Sequence, residues 1–107
     1  MLTYKIHGEN IEVTEAIKAS VEDKFSTLNK YFNEELTATV TVRTYPSGDK
    51  KVEATLPLHK VIHAEDTSRD LYESIDNVVE KLDGQIRRLR TEKQKREQER
   101  KPLKDLF

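Results

Sequence analysis

Along the first eight positions, Leu2, Tyr4 and Ile6 alternate with Thr3, Lys5 and His7, ending at Gly8. That period of two predicts a strand with one buried face. Thr14 then reads as the cap of a helix, led in by Ile11 and Val13, with Glu15 suited to the positive end of the helix dipole. Its apolar stripe is Val13, Ile17, Val21, Phe25, Leu28 and Phe32, at helical spacing, so the helix is expected to end near Asn33. Alternation returns with Leu36, Ala38, Val40 and Val42, and again with Val52, Ala54, Leu56 and Leu58 across the turn-forming Pro46-Ser47-Gly48-Asp49. Pro57 has no N–H to donate and suits an edge or a strand end. A short fourth strand is expected from about Val61 to Asp66, with Ile62 and Ala64 inward. Thr67 reads as the cap of a second helix, with Asp70 completing a capping box. That helix's stripe is Leu71, Ile75, Val78, Val79, Leu82, Ile86 and Leu89. The order β-α-β-β-β-α predicts an α+β, two-layer sandwich: a four-stranded sheet with both helices on one face.

Past Leu89 the same helical register continues into Lys93, Arg96 and Arg100. Burying unpaired cations costs several kcal/mol each, so the helix is expected to leave the body near Leu89. Lys81, Arg88 and Lys95 recur every seven residues on one flank, while Arg87 and Arg90 lie on the other. Lys18, Lys24 and Lys30 supply a basic row on the first helix.

The 107 residues make one ordinary domain, too small for a large enclosed active site. The net charge is −1, yet residues 87–104 hold nine Lys/Arg against three Glu, a net of +6, leaving −7 on the rest. This asymmetry points to an anionic partner for the basic segment, or else to a solvated, ion-paired helix. Phosphate matches such a surface because each cation placed on it releases condensed counterions. Tyr31 and Tyr45 are candidates for base stacking, or for ordinary packing. A competing reading is an interaction module whose charged second helix binds a protein partner. Gln94, Arg96 and the run 98–101 supply no apolar seam for a coiled coil.

The chain has no Cys, which excludes disulfides and thiolate chemistry. His59 and His63, four apart on extended chain, lie ~13 Å from each other, too far for one metal ion. No Gly-rich phosphate loop or nucleophile elbow occurs. No catalytic residue, metal or cofactor is expected, and no small-molecule substrate. Apolar runs of two or three residues fall far short of a membrane span, and no signal peptide is evident, so a cytoplasmic protein is expected.

Three stretches carry a family likeness. Ile6-His7-Gly8 leads through Ile11-Glu12-Val13-Thr14-Glu15-Ala16-Ile17-Lys18 into the first helix. Ala64-Glu65-Asp66 precedes Asp70-Leu71-Tyr72-Glu73-Ser74-Ile75-Asp76, and Val79-Glu80-Lys81-Leu82-Asp83-Gly84-Gln85-Ile86-Arg87-Arg88 follows. Over about residues 1–95 the chain resembles the ribosome hibernation factors, or ribosome-associated translation inhibitors, the family of hibernation-promoting factor and protein Y.

The resemblance implies a fold similar to a double-stranded RNA-binding domain. It also implies binding to ribosomal RNA of the small ribosomal subunit, at the mRNA and tRNA channel, with inhibition of translation in stress or stationary phase. By position, the implied RNA contacts are Lys18, Lys24, Lys30, Lys81, Gln85, Arg87, Arg88, Arg90, Lys93 and Lys95. Residues 1–95 would form the ribosome-binding domain, and 96–107 a basic flexible tail or the start of a linker. Long family members add a second domain that pairs ribosomes, so ribosome dimerisation is an expectation only if this is part of a long form. Glu22 and Asp23 dilute the basic row of the first helix. Gly84 costs about 1 kcal/mol relative to Ala inside a helix, and either admits an RNA backbone or is simply tolerated.

Overall fold

The computed structural model describes residues 1–100, with side chains through Thr91. In chain order it contains β1 (Leu2–Glu9), α1 (Glu15–Phe25), a 3-10 turn (Ser26–Tyr31), β2 (Leu36–Thr44), β3 (Lys50–Leu56), β4 (Ile62–Ser68) and α2 (Leu71–Arg100). The strands form one sheet in the order β1-β2-β3-β4. β1 runs parallel to β2, from Leu2 beside Leu36 to Glu9 beside Arg43; the other two pairings are antiparallel. Both helices lie on one face, as the element order predicts.

The alternating residues explain this layering. Ala38, Val40 and Val42 of β2, Val52, Ala54 and Leu56 of β3, and Ile62 and Ala64 of β4 are buried on the helix side. They meet Ile17, Val21, Phe25 and Leu28 from the first helix region and Leu71, Ile75, Val78, Leu82 and Ile86 from α2 in one continuous core. Burying each such side chain contributes roughly 1.5–3 kcal/mol, which is what holds two otherwise marginal helices in place.

Two local features depart from the expected boundaries. α1 is capped as expected, Ile17 donating its N–H to Thr14 Oγ1 at 3.2 Å. It gives way to the 3-10 turn after Phe25, well before Asn33. Ser26 and Thr27 cause the change: their hydroxyls donate to the carbonyls of Asp23 at 2.6 Å and Lys24 at 2.9 Å, competing for acceptors in the last turn. The apolar spacing continues through the tighter turn, so Leu28 is still buried. Thr67 is not the cap of α2. It lies within β4 opposite Lys51, because strand pairing runs on to Ser68. Asp70 caps α2 instead, accepting from the Tyr72 N–H at 3.0 Å.

Between β1 and α1 the chain doubles back tightly, with Asn10 in the left-handed region at φ 58°, which Asn tolerates. A Cβ placed on Gly8 would lie 2.3 Å from the Ile11 carbonyl oxygen and 2.9 Å from Val13 Cγ2. Backbone cannot yield as a flexible side chain does, so Gly8→Ala is expected to destabilise the fold by about 1–3 kcal/mol, the usual cost of overpacking. Urea unfolding measures this; a variant as stable as the parent would show that the loop moves freely.

α2 is long. Its thirty residues span ~45 Å at the helical rise, whereas strands of seven to nine residues reach roughly 23–30 Å. Ile86 is its last buried residue among those described, Leu89 is half-buried, and Arg90 and Thr91 are exposed. The apolar contact therefore runs out where the sequence register turns basic. The expected boundary at residues 95–96 falls within the helix bounds, and residues 101–107 lie outside the described part.

Candidate nucleic-acid interface

α2 has different neighbours on its two flanks, and this sorts the candidate residues. On one flank it follows β4; on the other it meets α1 and the 3-10 turn. About 100° of rotation per residue separates successive side chains. Gln85 and Arg87, only two apart, therefore leave the helix about 200° from each other.

The β4 flank is a row of Ser74, Asn77, Lys81 and Gln85, each engaged with the sheet. Ser74, fully buried, donates to the Lys50 carbonyl at 3.1 Å and shares a 2.7 Å bond with Ser68. Asn77 Nδ2 donates to Asp66 Oδ2 at 3.0 Å. Lys81 Nζ donates to the Glu65 carbonyl at 2.8 Å and pairs with Asp66 Oδ1 at 3.2 Å. Gln85 Nε2 donates to the His63 carbonyl at 2.8 Å.

The α1 flank has another character. Tyr31, at the end of the 3-10 turn, donates its hydroxyl to Asp83 Oδ1 at 2.6 Å across 52 residues of sequence. The Asp83 hydrogen bond holds the Tyr31 phenol above its ordinary pKa of 10.0, with burial adding to the effect. The other carboxylate oxygen, Oδ2, accepts from Arg87 Nε at 3.0 Å. Asp83 thus fixes the aromatic ring with one oxygen and the guanidinium with the other. Two further cations flank that ring: Lys30 Nζ lies 5.2 Å from its centroid and Arg90 Cζ 5.5 Å. Lys24 pairs with Asp76 of α2 at 3.3 Å in the same seam. Lys30, Tyr31, Arg87 and Arg90 form a basic groove with one aromatic platform, the kind of surface that takes phosphate and a stacked ring.

The remaining candidates stand apart. Lys18 pairs with Glu15 at 3.7 Å within α1. Arg88 continues the Lys81 flank two turns further along α2, on the side away from Arg87 and Arg90, where it is exposed, its Nε 3.4 Å from the Gly84 carbonyl. The side chains of Lys93 and Lys95 lie outside the described residues. Tyr45 is distant from the groove in sequence and pairs with Arg43 of β2, whose guanidinium lies 5.9 Å from the ring. Asp83 organises this cluster yet was not among the candidate site residues; its spacing of four before Arg87 was a signal for the pairing.

Gly84 sits in open space on α2, where an added Cβ would meet nothing within 4 Å. Gly84→Ala should raise stability by about 1 kcal/mol, or about 4–8 °C in Tm for a domain near this size. Thermal melting checks this; a Tm no higher than the parent's would overturn it.

The uncovered face of the sheet carries a polar grouping that histidine spacing did not reveal. Glu53, His63 and Glu65 hold ligand-type atoms within 4.8 Å of one another. Lys51 already supplies the positive charge there, its Nζ 2.9 Å from Glu53 and 3.3 Å from Glu65. Hydrogen bonds donated to Glu53 and then to Glu65 raise the pKa of the Lys51 ammonium above its ordinary value, and Lys51 in turn holds the Glu65 carboxyl low. His63 Nδ1 shares a 3.0 Å bond with Thr55. Lys51 offsets one of the two carboxylates, so this is a partly neutralised surface network. No helix among the described residues is long and apolar enough to cross a membrane.

Comparison with known proteins agrees with this architecture. The N-terminal domain of Thermus thermophilus Protein Y superposes with a TM-score of 0.74 at 34% identity, covering 83% of this chain and 99% of that domain. A ribosomal subunit interface protein from Coxiella burnetii shares the fold, with a TM-score of 0.68 at 19% identity, over 85% of this chain and 99% of that one. The ribosome hibernation promotion factor of Lactococcus lactis subsp. cremoris (strain MG1363) is 47% identical over 110 residues, covering all of this chain and 60% of that protein. Its counterpart from Staphylococcus aureus (strain COL) is 39% identical over 94 residues, covering 85% of this chain and 50% of that protein. The chain thus spans half to three-fifths of the length of these curated relatives. The model of one family matches residues 4–94, nearly the whole described body, and with these likenesses it settles the descent: the chain belongs to the sigma 54 modulation protein / S30EA ribosomal protein family.

Proposed function

We propose that this chain is the ribosome-binding part of a hibernation factor. In this reading it is a cytoplasmic protein that occupies the small ribosomal subunit where messenger and transfer RNA would lie, during stress or stationary phase, and so stops translation without catalysing a reaction. The observation that carries the reading is the groove between α1 and α2, where Lys30 and Arg90 flank Tyr31 and Asp83 orients Arg87. Its relatives named as ribosome hibernation promotion factors support the assignment.

The physics requires no catalyst. Folded RNA is recognised largely by shape and phosphate contacts, which a rigid sandwich with a basic groove can match. The Arg87–Asp83 pair does not stand in the way. An exposed ion pair contributes about 0–1 kcal/mol, so a phosphate oxygen can take over the guanidinium at little cost.

The test is cosedimentation with purified small subunits across a salt series, alongside translation in a purified system. Binding should fall steeply as salt rises, because each phosphate contact releases counterions. Translation should cease as the subunits fill. Salt-insensitive binding, or full translation at saturating occupancy, would refute the blocking role and favour a protein partner.

A further inference from the structure

β4 is an edge strand, bonded to β3 on one side and, among the described residues, to no strand on the other. Such an edge presents unpaired backbone groups that invite pairing with another chain. His63 and Glu65 are two residues apart, so their backbone polar groups face the same way. That direction is away from β3, since α2 side chains reach both carbonyls: Gln85 Nε2 donates to His63 and Lys81 Nζ to Glu65, each at 2.8 Å.

We infer that Lys81 and Gln85 are guards of the β4 edge, holding two successive outward carbonyls that a second copy of this chain would need in order to add a strand. The spacing favours this role. Lys81 and Gln85 are one helical turn apart and β4 runs antiparallel to α2, so consecutive turns of the helix address alternate residues of the strand. Asp66 anchors the Lys81 ammonium at 3.2 Å and is itself held by Asn77 at 3.0 Å, so the lysine is fixed beside the strand. The opposite margin of the sheet is treated alike at its start, where the Leu2 N–H donates to Asn29 Oδ1 at 2.9 Å. In a pure preparation an opened β4 can meet the β4 of a second copy, and two identical edges can pair about a two-fold axis, which closes at a dimer.

The experiment compares the parent chain with the double variant Lys81→Ala/Gln85→Ala by sedimentation velocity, from micromolar to millimolar protein. The expected result is a mass that climbs from monomer toward dimer with concentration in the variant alone. A variant as monomeric as the parent over the whole range overturns the inference. So does a monomeric variant that has lost subunit binding, which would make these residues nucleic-acid contacts. If the double variant does not fold, as judged by circular dichroism, Gln85→Glu replaces the donor at nearly constant size. It should self-associate, while Lys81→Arg, which retains a donor, should not. The mass readout stands even if the parent shows no affinity for ribosomes, so failure of the edge role and failure of the proposed function are distinguishable.

Discussion

If the chain binds the small ribosomal subunit as proposed, reversing Lys30, Arg87 and Arg90 to glutamate together is expected to lower that affinity by on the order of a thousandfold. Charge-assisted hydrogen bonds contribute about 1.5–3 kcal/mol each, and three of them come to roughly 5 kcal/mol at 1.4 kcal/mol per tenfold. The salt dependence should flatten as well, by roughly one unit of slope per lost phosphate contact. The fold should survive, because Lys30, Arg87 and Arg90 are exposed and none belongs to the apolar stripe. Cosedimentation at several salt concentrations, with a melting curve as control, is the measurement. A folded triple variant that binds like the parent would remove the groove from the mechanism. The three side chains act on one ring and one carboxylate, so single reversals are not expected to add up independently.

Phe25→Ala should be the most damaging single change in the body, at about 3–5 kcal/mol. Phe25 has no exposed surface and stands where α1 tightens into the 3-10 turn. Its ring meets Tyr4 of β1 edge-to-face, the centroids 6.0 Å apart, so it fastens the first helix to the edge strand of the sheet. Small domains hold only about 5–15 kcal/mol in total, so much of the stability is at stake. Denaturant unfolding gives the number. A loss below about 1 kcal/mol would mean that the site collapses to fill the cavity, at odds with close packing. The 3-10 turn carries Lys30 and Tyr31, so this variant should also weaken the groove, linking core packing to binding.

Much of the fold was legible because each element shows its period to one buried face. Alternation in β2 and β3 named Ala38, Val40, Val42, Val52, Ala54 and Leu56, all buried, while Leu36 and Leu58 at the ends are only partly so. The stripe from Leu71 to Ile86 named the buried apolar residues of α2, with Val79 only partly buried, but not Ser74. Boundaries were less legible, since they depend on local competition. Thr67 has the chemistry of a cap, yet pairing with Lys51 keeps it in β4, and Asp70 takes the role. Ser26 and Thr27 likewise divert carbonyls that the apolar spacing alone would leave to α1.

The order of elements, the residues that must be buried and the point where α2 turns basic all follow from the linear pattern. A helix or strand repeats at a known interval whatever surrounds it. What stands beside each flank of α2 does not follow. Lys81 and Arg87 look equivalent as cations on a helix, yet one faces β4 and the other the seam with α1. Only the packing of α2 between these two neighbours decided that Lys30, Tyr31, Arg87 and Arg90 share a groove while Lys81 and Gln85 close a sheet edge. Helical spacing sets the angle between two side chains, but the tertiary contacts determine what each of them meets.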